Sequence, residues 1–527
     1  MKTCKRIMAV LLAIVAAGSC QKEASDPYLT DDAAFGELSH EQIVLGEKLD
    51  DPYSVENVTK ALAVLYPTKA DRVEVAETDY YVRFLPADED QYFRLVASGL
   101  EMMDHPLDYR IVRDGDWYHD PGVAEDDITW QYAVVPRDYV FPQDIRYEVL
   151  DRCYISEHDP ATRAGGEGID WEAVEREAFR LTGNEDLLLP QTKAKAKPQG
   201  RITVVDDDAN GGKAFGVSGV KVVCNSFVKF SSGYTDRDGY YEVSKKYSSK
   251  VRYRLLFKNE KGFAIGVNLI LIPASMSALG KGPSEGLDVE ITKDSDRKLF
   301  TRCVVNNAVY EYLERCNEDD MDLPCPPKNL RIWLFQKLKV SSACMLRQGA
   351  VIDHSVLKQF LGEYGSLVKL FLPDITLGLK GAESYADIYS ITCHELAHAS
   401  HFMQVGKDWW DKFIFYILTA YVSTGETYGN GSGEHAGYCA VGEMWAYYMQ
   451  NRMFNDRYGG VMPVAGSSYW FAPQILRYLD ERGMTRAEIF KALTADVASA
   501  EALQAKLRTL YPDKTSLIDQ VFDRYAK

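Results

Sequence analysis

The stretch "CHELAHASHF", residues 393–402, holds three of the nine histidines of the chain within ten positions. In an α-helix, residues four positions apart lie on the same face, so His394 and His398 would direct two imidazoles towards one point. Glu395 would stand beside them with a carboxylate. The stretch therefore predicts a helix that carries a pair of nitrogen ligands for a metal ion.

The pattern HExxH is typical of zinc hydrolases, in which the glutamate acts on a water that the metal activates. A catalytic zinc usually keeps three protein ligands and one open position, so a third ligand must be found. A histidine six positions after His398 would supply it in one known arrangement, but that position is Gln404. We therefore expect a glutamate from a second helix, and the candidates are Glu426, Glu434 and Glu443.

Glu443 is the preferred third ligand. It lies in "YCAVGEMWAYYMQNRMF" (438–454), a helical pattern in which it is the lone acid among apolar neighbours. A carboxylate on such a face needs a partner, because an unpaired buried charge costs several kcal/mol or shifts its pKa. Glu426 and Glu434 lie in the glycine-rich "GETYGNGSGEHAGY" (425–438), where a side chain would be poorly held.

The segments "HELAH" (394–398) and "GEMWA" (442–446) together resemble the gluzincin metallopeptidases. The resemblance implies a Zn²⁺ ion held by His394, His398 and Glu443, with Glu395 as the general base that takes a proton from the attacking water. In that family an aspartate often follows the glutamate by four residues and orients the first histidine, whereas this chain has Tyr447. We therefore expect another residue to support His394.

An acyl-transfer site also needs a donor for the developing oxyanion. Tyr428, His435 and Tyr438 are expected in the loop before the helix of Glu443, where the family places such donors, and we favour Tyr438. Cys393 and Cys439 are close in sequence to the proposed ligands. We expect both to be small buried thiols, because further thiolate ligands would close a hydrolytic site.

The first twenty residues, "MKTCKRIMAVLLAIVAAGSC", have basic residues, then a short apolar run, then a cysteine. The run is too short for a permanent membrane helix and indicates a signal peptide, residues 1–19. The ending "AAGSC" resembles the lipobox of bacterial lipoproteins, which implies a lipid anchor on Cys20 and a cell-surface position on the outer membrane of a Gram-negative bacterium. The alternative is ordinary cleavage that leaves Cys20 as a free thiol. Residues 20–55 are expected to be a tether.

Length and composition indicate a globular, multidomain α+β protein. The chain has 527 residues and is 46% hydrophobic, enough for about three domains with cores. Its net charge of −17, with no basic patch, argues against a nucleic-acid partner. No later segment reaches the roughly 18 apolar residues of a membrane span, and residues 408–418 are expected to form a core helix.

Periodicity divides the rest of the chain. Residues 56–155 predict a small α+β module, with strand, helix and strand at 79–86, 88–103 and 106–112. Residues 156–199 are expected to be a linker with one helix, at 169–182. Residues 296–527 predict a mainly helical, zincin-like catalytic domain, with strand candidates at 330–337 and 367–372.

Residues 200–290 show short strands separated by turn signals, a rhythm typical of a β-sandwich. The segments "GRITVVDDD", "GVSGVKV" and "TDRDGYYEV" resemble the carboxypeptidase regulatory-like domain, a small β-sandwich. Asp236 and Asp238 suit a calcium ligand or a tight turn, and we favour the turn.

Among the cysteines, Cys316 could pair with Cys325, and Cys303 with Cys344 is another possibility. The sequence leaves this connectivity open.

The preferred functional hypothesis is an extracytoplasmic, lipid-anchored zinc metallopeptidase. Its substrate is expected to be a polypeptide, held in extended form along an edge strand at 367–372. The absence of an amine-binding motif such as GxMEN favours an endopeptidase. The alternative is a non-catalytic surface binding or assembly lipoprotein with a structural or inactive metal site.

Overall fold

The computed structural model describes residues 42–525 apart from 69–72, 125–126, 164–167, 191–194, 210, 267–273, 319–321, 338–340, 351–372, 425, 427 and 460–468. The predicted signal peptide, Cys20 and the strand candidate at 367–372 lie outside the described residues. Within them the chain is a mixed α and β protein with several antiparallel sheets, which confirms the predicted α+β class. No described helix is long and apolar enough to cross a membrane.

The N-terminal part combines small antiparallel sheets with helices. Its elements are β1 (Val44–Lys48), α1 (Val55–Leu65), β2 (Asp79–Leu85), α2 (Glu89–Ala97), β3 (Tyr109–Arg113), β4 (Gln131–Pro136), β5 (Arg146–Cys153), α3 (Pro160–Arg163) and α4 (Trp171–Leu181). β1 pairs with β3, and a second sheet has the order β4-β2-β5. The tether predicted to reach residue 55 is therefore wrong for residues 44–48, since β1 is hydrogen-bonded into a sheet.

Helix α4 is the helix predicted within residues 156–199. Asp170 caps its first turn by accepting hydrogen bonds from two backbone N–H groups. Val174 and Ala178 are fully buried and share a hydrophobic cluster with Val58 and Leu62 of α1. The helix predicted at 169–182 is thus confirmed, and its apolar face, spaced at three and four residues, is covered by α1.

The middle part contains the predicted short strands. They are β6 (Gln199–Asp206), β7 (Lys213–Gly216), β8 (Lys221–Ser226), β9 (Lys229–Tyr234), β10 (Tyr240–Glu242), β11 (Val251–Leu256), β12 (Ala264–Ile265), β13 (Met276–Gly282) and β14 (Val289–Ile291). One sheet has the order β10-β6-β14 with β7 also on β6, and the other has the order β13-β11-β8-β9. Alternate residues such as Ile202 and Val204 of β6, and Val222 and Cys224 of β8, are buried in one core.

The segment 235–240 forms the tight turn that its sequence predicts. The Oδ1 atom of Asp236 accepts hydrogen bonds from the backbone N–H groups of Asp238 and Tyr240, at 2.9 Å each. Gly239 has a φ of +80°, and a Cβ atom there would overlap the carbonyl oxygen of Ile202. The aspartate and the glycine therefore serve the turn.

The C-terminal part is mainly helical, as predicted. Its elements are α5 (Arg297–Arg315), β15 (Arg331–Phe335), β16 (Ile375–Gly378), α6 (Tyr385–Val405), α7 (Lys407–Thr424), α8 (Ala436–Tyr458), α9 (Gln474–Glu481), α10 (Arg486–Ala492), α11 (Ala500–Leu510) and α12 (Thr515–Tyr525). β15 confirms the strand candidate at 330–337 and pairs in parallel with β12 and β16. Because β12 comes from before residue 290, this sheet crosses the predicted boundary between the sandwich and the helical part.

A buried ion pair joins the N-terminal part to α5. The guanidinium of Arg302 donates to the carboxylate of Asp116 at 2.7 and 2.5 Å. Both side chains are buried. The pair links two segments that are far apart in sequence. Because the pair is buried, water cannot replace either partner.

We expect the variant Asp116→Ala to lower the free energy of unfolding by about 3–5 kcal/mol, because it leaves the Arg302 guanidinium buried without its carboxylate. Urea unfolding of the full chain measures the change. The matched control is Glu56→Ala, which removes the exposed pair between Glu56 and Lys60 and should leave the unfolding midpoint unchanged. Unfolding of Asp116→Ala at the wild-type urea concentration would contradict the expectation.

Candidate metal centre

Helix α6 carries the HExxH residues and has defined ends. At its start, Ser384 Oγ accepts from the backbone N–H of Asp387, and the Asp387 carboxylate accepts from the N–H of Ser384, at 3.1 Å each. This capping box satisfies two donors of the first turn. The helix stops before Gly406, which has a φ of +77°. Between these ends, the rings of His394 and His398 lie on one face with centroids 4.9 Å apart.

Helix α8 carries the third residue of the site, Glu443. It packs along α6, and the indole N–H of Trp445 donates to the carbonyl oxygen of Ala397 at 3.1 Å. A Cβ atom at Gly442 would lie 3.0 Å from the Phe413 ring, so the glycine lets this ring of α7 pack closely beside Glu443. The Phe413 ring also contacts His398, with centroids 5.4 Å apart. Three helices therefore enclose the carboxylate of Glu443, which is fully buried.

His394, His398 and Glu443 form a cluster whose geometry fits a metal ion. Nε2 of His394 lies 3.5 Å from Oε2 of Glu443, and Nε2 of His398 lies 3.4 Å from Oε1. One potential ligand atom from each residue lies within 4.8 Å of the others. Two ligands that are each about 2.1 Å from a tetrahedral zinc are about 3.4 Å apart, so the observed separations suit such a centre.

One nitrogen atom of the cluster has no hydrogen-bond partner within the described residues. Nε2 of His394 is buried and makes no hydrogen bond within the described residues. The structure brings Glu443 to the imidazoles, as predicted, and not the two other candidates. Glu434 is exposed and lies 3.5 Å from the ring of its neighbour His435, while Glu426 lies outside the cluster.

The pKa values match what a metal ligand set needs. Burial alone would raise the pKa of Glu443, but the imidazoles of His398 and His394 outweigh it and lower this pKa to about 2. Burial lowers the pKa of His398, and Glu443 opposes this shift only in part. At neutral pH the cluster therefore offers an ionised carboxylate and a neutral imidazole, the protonation states that bind a cation.

Glu395 differs from Glu443 in its environment. Its side chain is 1% exposed, and its Oε2 atom makes no hydrogen bond within the described residues. Burial, and then the nearby charge of Glu443, raise the pKa of Glu395 well above its usual value. A carboxylate with such a raised pKa can accept a proton and hold it near neutral pH.

Gln450 supplies the support for His394 that sequence reasoning did not identify. Its Oε1 atom lies 3.2 Å from Nδ1 of His394, and its Nε2 donates to Ser390 Oγ at 2.9 Å. The second bond orients the amide so that its oxygen faces the imidazole. Nδ1 of His394 then donates, which leaves the lone pair of Nε2 for a metal. The sequence feature that could have identified Gln450 is its spacing. It follows Glu443 by seven residues, which is two helical turns on the same face.

Tyr447, which occupies the position of the family's aspartate, packs on the other side of His394. The two ring centroids are 4.7 Å apart. The hydroxyl of Tyr447 lies 3.1 Å from that of Tyr428 and donates to that of Tyr469 at 3.3 Å. The candidate donor Tyr428 is therefore part of a group of hydroxyls beside the first imidazole.

Tyr438 is not brought to the cluster. It lies in the first turn of α8, about 140° around the helix from Glu443. Its ring packs on Trp409 with centroids 5.1 Å apart, and its hydroxyl accepts a hydrogen bond from Lys412 at 3.3 Å. Tyr438 therefore faces α7, whereas Tyr428 lies nearer to His394 through Tyr447.

Cys393, Cys439 and His401 are buried without joining the cluster. Cys393 and Cys439 are fully buried, and burial raises the pKa of each thiol. This agrees with the expectation that both are small buried thiols. His401 is fully buried against Trp409 and Trp410, and burial lowers its pKa to about 3. It therefore stays neutral inside an aromatic core.

Comparison of the chain with models of known protein families finds no match, and comparison with characterised proteins finds none either. The chemistry of the site must therefore be argued from its own geometry.

We expect Gln450→Leu to weaken zinc binding by about 10–100-fold, because the hydrogen bond that fixes the tautomer and orientation of His394 is lost. Gln450→Glu keeps an acceptor at this place and should retain zinc. Competition titration with a chelating dye measures the affinity. The matched control is Gln404→Leu, on the same helix as His394, whose amide donates to the carbonyl oxygens of Phe490 and Leu493. Equal zinc affinity of Gln450→Leu and the wild type would rule out this role.

Proposed function

We propose that the protein is a zinc-dependent metallopeptidase, acting as an endopeptidase. His394, His398 and Glu443 would hold the metal, and Glu395 would be the general base. The observation that carries the proposal is the buried cluster with Nε2 to Oε separations of 3.5 and 3.4 Å, on helices that also present Glu395. A bound zinc ion would lower the pKa of a water molecule and polarise the scissile carbonyl.

Glu395 is suited to move the proton in this reaction. Its carboxylate follows His394 directly in the chain and is not among the three cluster ligands. It would take the proton of the attacking water and pass it to the leaving amine. The buried setting, which raises its pKa, favours the state in which Glu395 carries that proton between the two steps.

The hydroxyls of Tyr428 and Tyr447 are the better candidates for stabilising the oxyanion. They are linked to each other at 3.1 Å, and Tyr447 contacts the ring of His394. A donor in a dry site stabilises developing negative charge strongly, since no solvent competes with it. Tyr438, our prediction from the sequence, has its hydroxyl engaged with Lys412 instead.

The segment 341–345 lies near Glu395, and its residues are each at most 3% exposed. It pairs antiparallel with β16, through hydrogen bonds of 2.9 and 2.8 Å between the backbones of Ser342 and Thr376. Cys344 lies near enough to Glu395 that the carboxylate raises the thiol's pKa, although burial has the larger effect. The proposal of a polypeptide substrate therefore rests on the chemistry of the site and not on an open strand edge at 341–345. The predicted edge strand at 367–372 falls outside the described residues.

The proposal places the enzyme outside the cytoplasm. It combines a zincin-like catalytic domain with a carboxypeptidase regulatory-like sandwich, and a lipid anchor on Cys20 would hold both at the outer membrane surface of a Gram-negative bacterium. The support for the anchor is the sequence of residues 1–20. The two sheets that share one core between residues 199 and 291 support the sandwich.

A second function is a non-catalytic surface binding or assembly protein with a structural metal site. The observation that favours it is burial: His394, Glu395, His398 and Glu443 are each at most 4% exposed. A structural site is closed to solvent, whereas a catalytic one keeps an open position.

We expect Glu395→Gln to keep one zinc ion per chain while the rate of peptide hydrolysis falls by about 10²–10⁴-fold, because the amide cannot accept the proton. Cleavage of a labelled, unfolded polypeptide by zinc-loaded protein measures the rate. The control is Glu434→Gln, an exposed glutamate outside the cluster, which should keep wild-type activity. A zinc-loaded wild type that cleaves no peptide would favour the structural site instead.

A further inference from the structure

Cys316 and Cys325 lie side by side at the C-terminal end of α5. Cys316 is buried and is the first residue after the helix, whereas Cys325 is partly exposed. The Sγ atom of Cys325 lies 3.9 Å from the carbonyl oxygen of Leu313 and 3.9 Å from Nδ2 of Asn317. These two residues flank Cys316 on one helix face.

Leu323, two residues before Cys325, is hydrogen-bonded to the end of the helix. The backbone N–H of Leu323 donates to the carbonyl oxygen of Cys316 at 3.1 Å. The two thiols are within hydrogen-bonding distance of each other. The two sulfur atoms are therefore neighbours in the folded chain.

We propose that Cys316 and Cys325 form a disulfide bond that links Cys325 and its neighbour Leu323 to the end of α5. The other pairing open from the sequence, Cys303 with Cys344, has no such support. Sγ of Cys344 lies beside Ser342 Oγ at 3.5 Å, and the surroundings that shift the pKa of Cys303 include Arg302 and Asp296 and no sulfur atom.

The two thiols are suited to different steps of the reaction. The hydrogen bond from Cys316 lowers the pKa of Cys325 to about 6, with help from Asn317 and two lysines, and the same bond raises the pKa of Cys316. The Cys325 thiolate is thus the nucleophile towards a disulfide-bearing oxidant. It attacks one oxidant sulfur and expels the other as a thiolate.

The second step closes the bond. Cys316 loses its proton to solvent and attacks the Cys325 sulfur of the mixed disulfide, which releases the second oxidant thiolate. Two electrons pass from the protein sulfurs to the oxidant, and both released thiolates can take up protons. The product is one intramolecular disulfide and two thiols of the former oxidant.

The bond would stabilise the helix that carries the metal ligands. Tyr312, four residues before Cys316, has its hydroxyl 3.0 Å from Ser400 Oγ on α6, and Ser400 also faces the Cys316 thiol. Ser400 is two residues after His398. The cross-link would therefore lie where the end of α5 contacts the HExxH helix.

Treatment of the full-length protein with oxidised glutathione, then alkylation and digestion with trypsin, tests the proposal. Trypsin releases both cysteines in one peptide, "CNEDDMDLPCPPK" (316–328), and releases Cys303 and Cys344 in the separate peptides 303–315 and 340–347. We expect peptide 316–328 to be lighter by two hydrogen atoms and unalkylated. Peptides 303–315 and 340–347 should each carry an alkyl group, introduced after unfolding.

Two results would overturn the proposal. One is peptide 316–328 with two alkyl groups after oxidation, and the other is a cross-link from either of its cysteines to a different peptide. As a second measurement, thermal unfolding of the oxidised wild type should occur several degrees above that of the same protein reduced with dithiothreitol. Equal unfolding temperatures of protein shown to be oxidised and protein shown to be reduced would contradict the stabilising role.

Discussion

The structure of the C-terminal part depends on burying one negative charge, the carboxylate of Glu443, between two imidazoles. A charge without water is tolerated in a protein only when other groups compensate it. Here the nearest polar atoms are Nε2 of His394 and Nε2 of His398, at 3.5 and 3.4 Å, and a bound cation would supply the compensating charge. An ionised carboxylate beside imidazole nitrogens is unfavourable in a protein core without a cation. The same three groups are favourable ligands for a divalent cation.

The elements around the cluster serve to hold this arrangement. The capped helix α6 sets the spacing of the imidazoles, and Trp445 ties α8 to it. Gln450 orients His394 with a neutral amide where a carboxylate would add a second negative charge. Glu443 carries a single negative charge, and the raised pKa of Glu395 favours its neutral form. The negative charge at the cluster is therefore limited. A ligand set with one anionic member leaves a divalent ion a net positive charge, which is useful for polarising a carbonyl group.

The sequence was sufficient where the information is local. The HExxH residues lie one helical turn apart, and Glu443 stands out as an acid in an apolar helix, so both could be predicted from periodicity and the cost of buried charge. Gln450 and the segment 341–345 could not, because their roles depend on which helices and strands pack together. The position of Tyr438 was misjudged because α8 begins at Ala436. Tyr438 is therefore part of the helix, and its position around the helix axis sets the direction of its side chain.

The central claim is that the buried cluster binds one divalent metal ion. Metal analysis of the purified protein after loading with zinc and removal of excess tests it most directly, with His394→Ala as the ligand variant and His435→Ala as a histidine control outside the cluster. The account predicts one zinc ion per chain in the wild type and in His435→Ala, and almost none in His394→Ala. A wild type without bound metal, or a His394→Ala variant that retains a full equivalent, would contradict it.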